Sequence, residues 1–248
     1  MHIACRSATA GEAAVARIKS ESGSADVWLL PLDLASLSSV RACAEAFLAR
    51  DEPLHVLVNN AGVGGQRGIT EDGFELHFGV NHLGHFALTQ LLLDRIAASG
   101  PGARIVNVSS EAHYGARGID FAAVRRPTAT FTGSQEYAVS KLCNVLHAQE
   151  LARRLSGTEV RSYALHPGVV ASDIWRRIPR LARWFLTRRM LTIEQGAVTS
   201  VYCATSPDVG GDSGLFYDKC AVRPASPVAT PELAGLLWRH SAEWTGLG

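Results

Sequence analysis

The sequence lacks the cysteine and histidine patterns that would mark a disulfide framework or a metal site. Its five cysteines lie at positions 5, 43, 143, 203 and 220 and form no Cys-x-x-Cys pair. An odd, scattered set indicates reduced thiols in a cytosol-like compartment, so the expected location is cytoplasmic. His82 and His85 have no cysteine or carboxylate cluster beside them, and we therefore expect no metal site.

Long apolar runs and an excess of either charge are missing as well. No run reaches the roughly 18 apolar residues of a membrane-spanning helix, and we expect no signal peptide before His2. The formal net charge is +1, which gives no general field for binding nucleic acid. What remains is a chain of 248 residues, 47% of them hydrophobic. Such a chain is typical of one large α/β domain, here spanning 1–248.

Short apolar runs alternate with helical patterns along the whole chain. Strands are predicted near residues 2–6, 26–32, 55–58, 104–108, 161–165 and 215–217, and helices near 11–20, 36–49, 71–97, 134–155, 193–204 and 231–244. The strands are continuous apolar runs, which is typical of a parallel sheet covered on both faces. We therefore predict an α/β fold with a doubly wound, mostly parallel sheet.

Tyr137 and Lys141 are the first candidates for chemistry. They are four residues apart in the predicted helix 134–155, so they share one face of that helix. The ordinary pKa of a tyrosine is near 10, and a lysine ammonium close by is expected to lower it. A phenol tuned toward neutral pH can give or take a proton during a reaction. The plain alternative is an ordinary surface pair, because this spacing often arises by chance.

Small and polar residues follow three of the predicted strands. Asn59, Ser110 and the pair Pro167-Gly168 each come directly after, or one residue after, a strand of this kind. In open α/β sheets, ligands bind at the carboxyl ends of the strands. We expect these residues to line one edge of a single crevice, with Tyr137 nearby.

Taken together, these segments resemble the short-chain dehydrogenase/reductase family. The matching pieces are Asn59-Asn60-Ala61-Gly62, Val80-Asn81-His82-Leu83-Gly84, Ser110, Tyr137-x-x-x-Lys141 and Pro167-Gly168, in the family's order. Other segments look like the retinol dehydrogenase-like branch, namely Ile3-Ala4-Cys5-Arg6, residues 104–110, Ala112-His113 and residues 166–170. The resemblance covers essentially the whole chain and implies a Rossmann-like fold.

The resemblance implies a catalytic role for four residues. Tyr137 is expected to act as the general acid in carbonyl reduction and as the base in alcohol oxidation. Lys141 is expected to lower the pKa of Tyr137 and to hold the nicotinamide ribose. Ser110, with Ser109 as its rival, is expected to hydrogen-bond the substrate oxygen and stabilise developing charge. Asn81 is expected to support a proton relay through water, or alternatively to bond locally within its helix.

A cofactor and a reaction class follow from the same resemblance. An arginine after the family's second strand suits the 2′-phosphate of NADP(H), and Arg6 stands at that position. The full cofactor set that the resemblance implies is Arg6, Asp33, Leu34, Asn60, Ala61, Gly62, Tyr137, Lys141, Pro167, Gly168, Val170 and Ser172. Asp33 has a second interpretation as a cap at the end of its strand. We predict an NADP(H)-dependent oxidoreductase that interconverts an apolar alcohol and its aldehyde or ketone, of the retinoid or lipid carbonyl type.

Residues 173–192 correspond to the substrate lid of the family. Segment 176–191 contains six arginines, no acidic residue and an apolar stripe. The lid implies an apolar substrate, and a basic amphipathic helix can also lie on an anionic membrane. The plain alternative is a solvated helix that packs on the core. The resemblance also implies a homodimer formed through the long helices, including the one that carries Tyr137.

The chain departs from the family pattern at its beginning. Family members begin with a strand and a glycine-rich turn, Thr-Gly-x-x-x-Gly-x-Gly, which holds the pyrophosphate. Here Met1 stands directly before the segment that resembles the family's second strand, and Gly64-Gly65 and Gly210-Gly211 lie in the wrong places to substitute. We therefore expect two exposed strand edges or a new strand pairing.

Two explanations of this departure stay open. In the first, the chain continues a longer one that carries the glycine-rich turn, and the intact set Ser110, Tyr137 and Lys141 favours this view. In the second, the chain exists as written and binds the cofactor poorly. It would then be a non-catalytic Rossmann-like binding or scaffold protein with an impaired cofactor site.

Overall fold

The computed structural model describes residues 1–170 and 190–247, and its strands form two separate sheets. The smaller sheet pairs β1 (His2–Cys5) in parallel with β2 (Trp28–Pro31). The larger sheet contains, in spatial order, β3 (Val56–Asn59), β4 (Arg104–Val108), β5 (Arg161–His166), β6 (Phe216–Asp218) and β7 (Ala221–Val222). Strands β3 to β6 run parallel, and β7 is antiparallel to β6. The predicted α/β class with a mostly parallel sheet is confirmed.

The helices fall close to their predicted positions. They are α1 (Ala8–Ser22), α2 (Leu37–Leu48), α3 (Leu76–Phe78), α4 (Gly84–Ala98), α5 (Ser134–Arg154), α6 (Ile193–Thr205) and α7 (Pro231–Thr245). A π-helical turn, Gly79–Leu83, joins α3 to α4, and short 3₁₀ turns lie at Glu111–Gly115, Ala123–Arg125 and Pro207–Val209. Within the described ranges, no helix is both long and apolar enough to cross a membrane.

Side-chain caps explain where α6 and α7 begin. The Thr192 hydroxyl accepts the backbone N–H of Gln195, and the Gln195 side chain accepts the backbone N–H of Thr192. This reciprocal pair satisfies two donors that an open helix end would leave free. The Thr230 hydroxyl accepts the backbone N–H of Leu233 at the beginning of α7. Pro231 occupies the first helical position, where no N–H is needed.

Helix α5 is packed on two sides. Val145 packs with Ala164 of β5 in one buried cluster. Leu142 and Leu146, which are fully buried, pack with Leu237 of α7 in another. Helix α7 therefore covers the side of α5 that faces away from the sheet. A homodimer formed through this side of α5 would have to displace α7.

A cleft separates the two sheets. Among the described strands, none pairs with β1 on the side away from β2 or with β3 on the side away from β4. A cavity of about 680 Å³ lies between them and is lined by residues of both strands, including Ile3 and Leu57. His2 Nε2 contacts Glu52 Oε2 at 2.7 Å and links β1 to the segment before β3. The expected exposure of two strand edges is therefore confirmed.

No sequence pattern indicates the hairpin between β6 and β7. Lys219 and Cys220 form its two-residue turn, with positive φ angles of 52° and 60°. Hairpin turns of this kind favour Asn-Gly, because positive φ crowds an ordinary side chain. A lysine followed by a cysteine carries no such signal, so β7 could not be predicted.

Candidate active site

Tyr137 and Lys141 lie one turn apart near the beginning of α5, as predicted. The Lys141 Nζ is 5.6 Å from the centroid of the Tyr137 ring. Lys141 is buried, and its ammonium donates to the backbone oxygen of Val108 at 3.0 Å. Asn144 Nδ2 donates to the same oxygen at 3.1 Å. The end of β4 therefore fixes the position of the Lys141 side chain.

Burial changes the acidity of Lys141. Desolvation lowers the pKa of its ammonium from 10.5 to about 8, because the charged form is the one that loses its hydration. The hydrogen bond to Val108 is made to a neutral oxygen rather than to a carboxylate. Lys141 is therefore still mostly charged at pH 7, but it loses its proton only slightly above neutral pH.

The structure differs from the expectation for the pKa of Tyr137. Burial raises this pKa above its ordinary value, and a hydrogen bond with Ser110 offsets only part of the increase. We expected Lys141 to lower the pKa of Tyr137. That expectation is wrong for this structure, because burial of the phenol is the largest influence on its pKa and disfavours the phenolate. Tyr137 is therefore a protonated phenol at neutral pH.

Ser110 and Ser109 make different contacts. Ser110 is half-buried, and its side chain lies near enough to the Tyr137 phenol to lower the pKa of that phenol. Ser109 is fully buried, and its hydroxyl donates to the backbone oxygen of Lys141 at 2.6 Å. Only Ser110 has a hydroxyl beside the Tyr137 phenol. Ser109 instead ties the end of β4 to α5.

The side chain of Asn81 bonds neither within its own helix nor to a catalytic side chain. Its Oδ1 accepts the backbone N–H of Val63 at 2.8 Å, and its Nδ2 donates to the Val63 oxygen at 3.0 Å and to Ser140 Oγ at 2.9 Å. Ser140 in turn donates to the Tyr137 backbone oxygen at 2.8 Å. Asn81 therefore joins the loop after β3 to the helix that carries Tyr137. The alternative of local bonding within its own helix does not describe its side chain.

The residues expected at the carboxyl edge of the sheet are only partly together. Ser110 follows β4 beside Tyr137, as expected. Asn59 is instead a core residue: its Nδ2 donates to Thr89 Oγ1 and to Asn107 Oδ1, both at 3.0 Å. The expectation that Asn59 lines the crevice is therefore wrong, because its amide is used to bond neighbouring elements.

The turn after β5 requires its glycine. Gly168 has a φ of 86°, and a Cβ placed there would lie 2.3 Å from Leu191 Cδ1. Pro167 precedes it, and Val170 forms a bridge with Leu191. These predicted cofactor residues therefore meet the segment that begins at residue 190. The predicted residue Ser172 and most of the lid at 173–192 lie outside the described residues.

Five of the twelve predicted cofactor residues share one cavity. A cavity of about 280 Å³ is lined by Arg6, Asp33, Leu34, Ala61 and Gly62, among others. Asp33 also matches its second interpretation, because its Oδ1 accepts the backbone N–H of Ala35 at 2.9 Å. Asn60 does not line this cavity, but it lines the 680 Å³ cleft between the sheets together with Leu34 and Ala61.

Gly62 connects the nucleotide cavity to the catalytic residues. A Cβ at Gly62 would lie 3.0 Å from Asn81 Oδ1 and 3.7 Å from Lys141 Nζ. A larger residue would therefore fill the space beside the buried ammonium. The missing side chain leaves room for a ligand that reaches from the cavity toward Lys141.

The residues fit the adenosine and ribose parts of a dinucleotide better than its pyrophosphate. Arg6 is a cation at the cavity, and Lys141 is a buried donor near it. Gly210, by contrast, accepts from Arg161 Nε at the amino end of β5, at the opposite edge of the sheet. Gly65 lies in the loop after β3, with open space around it. Neither glycine pair provides a phosphate loop beside this cavity.

Sequence reasoning assigned no role to His113 and His85, which contact the candidate catalytic residues. His113 is fully buried and contacts the Ser110 backbone oxygen through Nδ1 at 2.7 Å. His85 Nδ1 contacts the Asn81 backbone oxygen at 3.0 Å, and burial lowers the pKa of His85 to about 4. Both histidines lie three or four residues after the residue they contact. That spacing was the only feature of the sequence that could have indicated these two contacts.

Comparisons with known proteins agree with this geometry. Residues 1–181 match the family model of the short chain dehydrogenases. The chain is 43% identical to retinol dehydrogenase 12 of Mus musculus over 253 aligned residues, which cover 100% of this chain and 78% of that protein. A solved structure from Mycobacterium paratuberculosis matches with a TM-score of 0.72 and 30% identity over 99% of this chain and 83% of that one. An NADPH-bound carbonyl reductase from chicken fatty liver has the same fold, with a TM-score of 0.59 and 22% identity over 87% of this chain and 83% of that one.

Proposed function

This chain belongs to the short-chain dehydrogenase family, and on that premise we propose that it is an NADP(H)-dependent oxidoreductase of apolar alcohols and carbonyls. Its substrate would be an alcohol and the matching aldehyde or ketone, of the retinoid or lipid carbonyl type. The observation that carries the proposal is that Tyr137 lies one helical turn from the buried Lys141, with the Ser110 hydroxyl close enough to lower the pKa of its phenol.

Tyr137 would transfer the proton. Burial keeps its phenol protonated at neutral pH, so the chain is prepared to donate a proton to a carbonyl oxygen. Ser110 would donate a second hydrogen bond to that oxygen and stabilise the negative charge that develops on it. Alcohol oxidation would need the phenolate, and its rate is therefore expected to rise toward alkaline pH.

Lys141 would restrain both Tyr137 and the cofactor. Its Nζ is anchored to Val108 by one hydrogen bond, so two further donor positions remain for the ribose hydroxyls. Arg6 would bind the 2′-phosphate, and Asp33 and Leu34 would contact the adenine. The cofactor, when bound, supplies or accepts the hydride.

Two observations support the choice of NADP(H) and of an apolar substrate. Arg6 lines the nucleotide cavity at the position where a cation suits a 2′-phosphate. The relatives include retinol dehydrogenases of mouse and human, and retinol is an apolar alcohol. An all-trans retinal assay with NADPH is therefore the first activity to measure.

Replacement of Tyr137 by phenylalanine tests the proposal. Retinal reduction by the wild-type chain should fall on the order of 10³-fold in Tyr137→Phe, because the proton donor is lost. Tyr202→Phe removes a hydroxyl from α6, away from the site, and should leave the rate unchanged. Equal rates in wild type and Tyr137→Phe would exclude Tyr137 as the acid.

The cleft between β1 and β3 favours a second candidate, a non-catalytic binding or scaffold protein. No described strand fills this cleft, and no described glycine turn provides the pyrophosphate site. A fluorescence titration of the 248-residue chain with NADPH separates the two candidates. Micromolar binding would support the enzyme, whereas no binding and no retinal reduction would support the scaffold.

We also propose peripheral membrane contact through segment 176–191, on sequence grounds. Its six arginines, with no acidic residue, suit an anionic lipid surface. Co-sedimentation with phosphatidylserine vesicles at low salt should pellet the chain, and neutral vesicles should not. Absence of pelleting with both would remove the proposal.

A homodimer remains a proposal from the family resemblance. Helix α7 covers Leu142 and Leu146 on α5, so we expect the dimer contacts to lie on another surface. Light scattering of the purified chain would give its mass. A value near 26.5 kDa at all concentrations would exclude the dimer.

A further inference from the structure

The turn that follows Ser110 is fastened to residues 223–226. Arg223 donates to Glu111 Oε1 at 2.8 Å, and the Tyr114 hydroxyl donates to the Pro224 backbone oxygen at 2.5 Å. The third link is made by His113, whose Nε2 accepts the backbone N–H of Ser226 at 3.1 Å. Of these three links, only the one through His113 also reaches Ser110.

The two partners of His113 fix its tautomer. The Ser110 backbone oxygen can only accept, so the Nδ1 that lies 2.7 Å from it must carry the proton. The Ser226 N–H can only donate, so Nε2 must present its lone pair. The ring is therefore neutral, with one defined orientation. It is fully buried and packs against Tyr114 and Phe216, with ring centroids 4.0 and 4.6 Å away.

The ring makes the shorter of the two hydrogen bonds that hold the Ser110 backbone oxygen. The Ser110 backbone oxygen accepts from the His113 backbone N–H at 3.1 Å and from the ring at 2.7 Å. The Ser110 hydroxyl accepts the backbone N–H of Ala112 at 3.2 Å. Without the ring, the carbonyl would keep only the longer of its two bonds. The direction of the Ser110 hydroxyl toward Tyr137 would then be less well defined.

We propose that His113 is a positioning residue that holds Ser110 in the geometry needed to hydrogen-bond the substrate oxygen and Tyr137. The proposal rests on the proposed oxidoreductase function and adds to it a residue that contacts neither substrate nor cofactor. The link through Ser226 also makes the segment after β7 a support of the active site. A displacement of that segment would be transmitted to Ser110 through one imidazole.

The surroundings of His113 keep its ring neutral. Burial is the largest influence and lowers the pKa of His113. The hydrogen bond to the Ser110 backbone oxygen acts in the opposite direction without reversing the change, and Arg223 lowers the pKa further. A protonated ring would lose its bond to Ser226, because both nitrogens would then be donors.

Two substitutions separate the two hydrogen bonds. In His113→Asn, the amide N–H₂ occupies the place of Nδ1 and can still donate to Ser110. In His113→Gln, the longer side chain can still accept from Ser226, but it cannot donate to Ser110. For retinal reduction with NADPH, kcat should fall between about 10- and 100-fold in His113→Gln and about 3-fold or less in His113→Asn. KM should change little in either variant.

Two measurements do not depend on turnover. The ¹⁵N chemical shifts of the wild-type His113 ring report its tautomer directly, and Nδ1 should carry the proton. The phenol titration of Tyr137 is obtained by subtracting the spectrum of the matching Tyr137→Phe protein. The pKa of Tyr137 should rise in His113→Gln, because the Ser110 hydrogen bond that lowers it is misdirected, and should stay unchanged in His113→Asn.

The outcomes distinguish this proposal from the proposed function. A wild-type chain without reductase activity would remove the function, and the tautomer and the Tyr137 titration would still decide the role of His113. Equal losses of kcat in the Asn and Gln variants would mean that the ring is only a packing residue. A ring proton on Nε2 in the wild type would overturn the proposal even if both variants failed to fold.

Discussion

The catalytic region and the nucleotide region are held in different ways. The catalytic region consists of β4, β5 and α5, and all five residues of β4 are buried. The nucleotide region consists of β1, β2 and the loop after β3, and Trp28 in β2 is more than two-fifths exposed. β4 is paired on both edges, whereas β1 is paired on only one.

Lys141 is positioned by contacts within the catalytic region, whereas Tyr137 is also tied to the loop after β3 through Asn81 and Ser140. Lys141 is held by Val108, and its backbone oxygen is held by Ser109. Both bonds lie between β4 and α5. Arg6, by contrast, is exposed at the end of β1. The geometry for chemistry can therefore be complete while cofactor binding is weak.

The largest effect should come from Lys141→Met in the catalytic region. Turnover of retinal should fall on the order of 10³-fold, because the group that restrains Tyr137 and the ribose is lost. The free energy of unfolding at pH 7 should nevertheless rise by roughly 1 to 3 kcal/mol, because burial of the amine disfavours its charged form. Lys19→Met on α1 is the control for both measurements. A large loss of stability would show that Lys141 is held for structural reasons.

A moderate effect should come from Arg6→Ala in the nucleotide region. KM for NADPH should rise about 10- to 100-fold, because the cation that faces the 2′-phosphate is lost. KM for NADH and kcat should change little. Arg17→Ala, on the exposed face of α1, serves as the control. A change in kcat with an unchanged KM would contradict the separation of the two regions.

The next prediction compares two buried histidines, one at the cleft between the sheets and one in the core. His85 lines the cleft between the sheets, and His147 lies in the core against Trp238. Burial lowers the pKa of His85 to about 4 and that of His147 to about 3, and His82 between them also has a lowered pKa. An unfolded histidine has a pKa of about 6.5.

The free energy of unfolding should therefore be constant above pH 6.5 and fall as the pH decreases below it. The reason is that these histidines bind protons in the unfolded chain but stay neutral in the folded chain. At pH 5 each of the two histidines should cost about 2 kcal/mol of unfolding free energy. Urea titrations at pH 7 and pH 5 measure the loss, which should shrink in His147→Gln and stay unchanged in His55→Gln. If His85→Gln left the loss unchanged while His147→Gln reduced it, the cleft would be filled with water and less closed than the core.

The smallest effect should come from the hairpin turn beside the catalytic region. Lys219→Asn and Cys220→Gly should each stabilise the chain by about 0.5 to 1 kcal/mol, because both replacements tolerate positive φ. Thermal unfolding of the two variants measures the gain. A loss of stability in both would mean that the original side chains make contacts that outweigh the backbone strain.

The sequence predicted those parts of the fold that depend on local patterns. The strand 104–108 and the beginning of helix α5 at Ser134 were predicted to the residue, because the strand is a short, mostly apolar run and apolar residues recur at helical spacing after Tyr137. Ser110, Tyr137 and Lys141 could be found because they stand at strand ends or at a helical spacing. Their contacts with one another agree with the predicted grouping.

Other features depend on contacts between distant residues and could not be predicted. The link between Asn81 and Val63 needs the π turn, and the link between His113 and Ser226 spans 113 residues. The direction of the Tyr137 pKa depends on how far burial outweighs a neighbouring charge, which no spacing reveals. The position of Asn59 could not be predicted either, because its side-chain amide hydrogen-bonds Thr89 and Asn107 in the core.

The π turn at Gly79–Leu83 makes the chain sensitive to insertion and deletion at this point. It holds one residue more than an α-helical turn would. Deletion of a single residue there would convert the turn to an α-helix and rotate everything before it by about 100° relative to α4. Asn81 would then lose Val63, while α4 could remain packed. A change of length by one residue would therefore damage this site more than many substitutions, and related chains should vary here in residue type rather than in length.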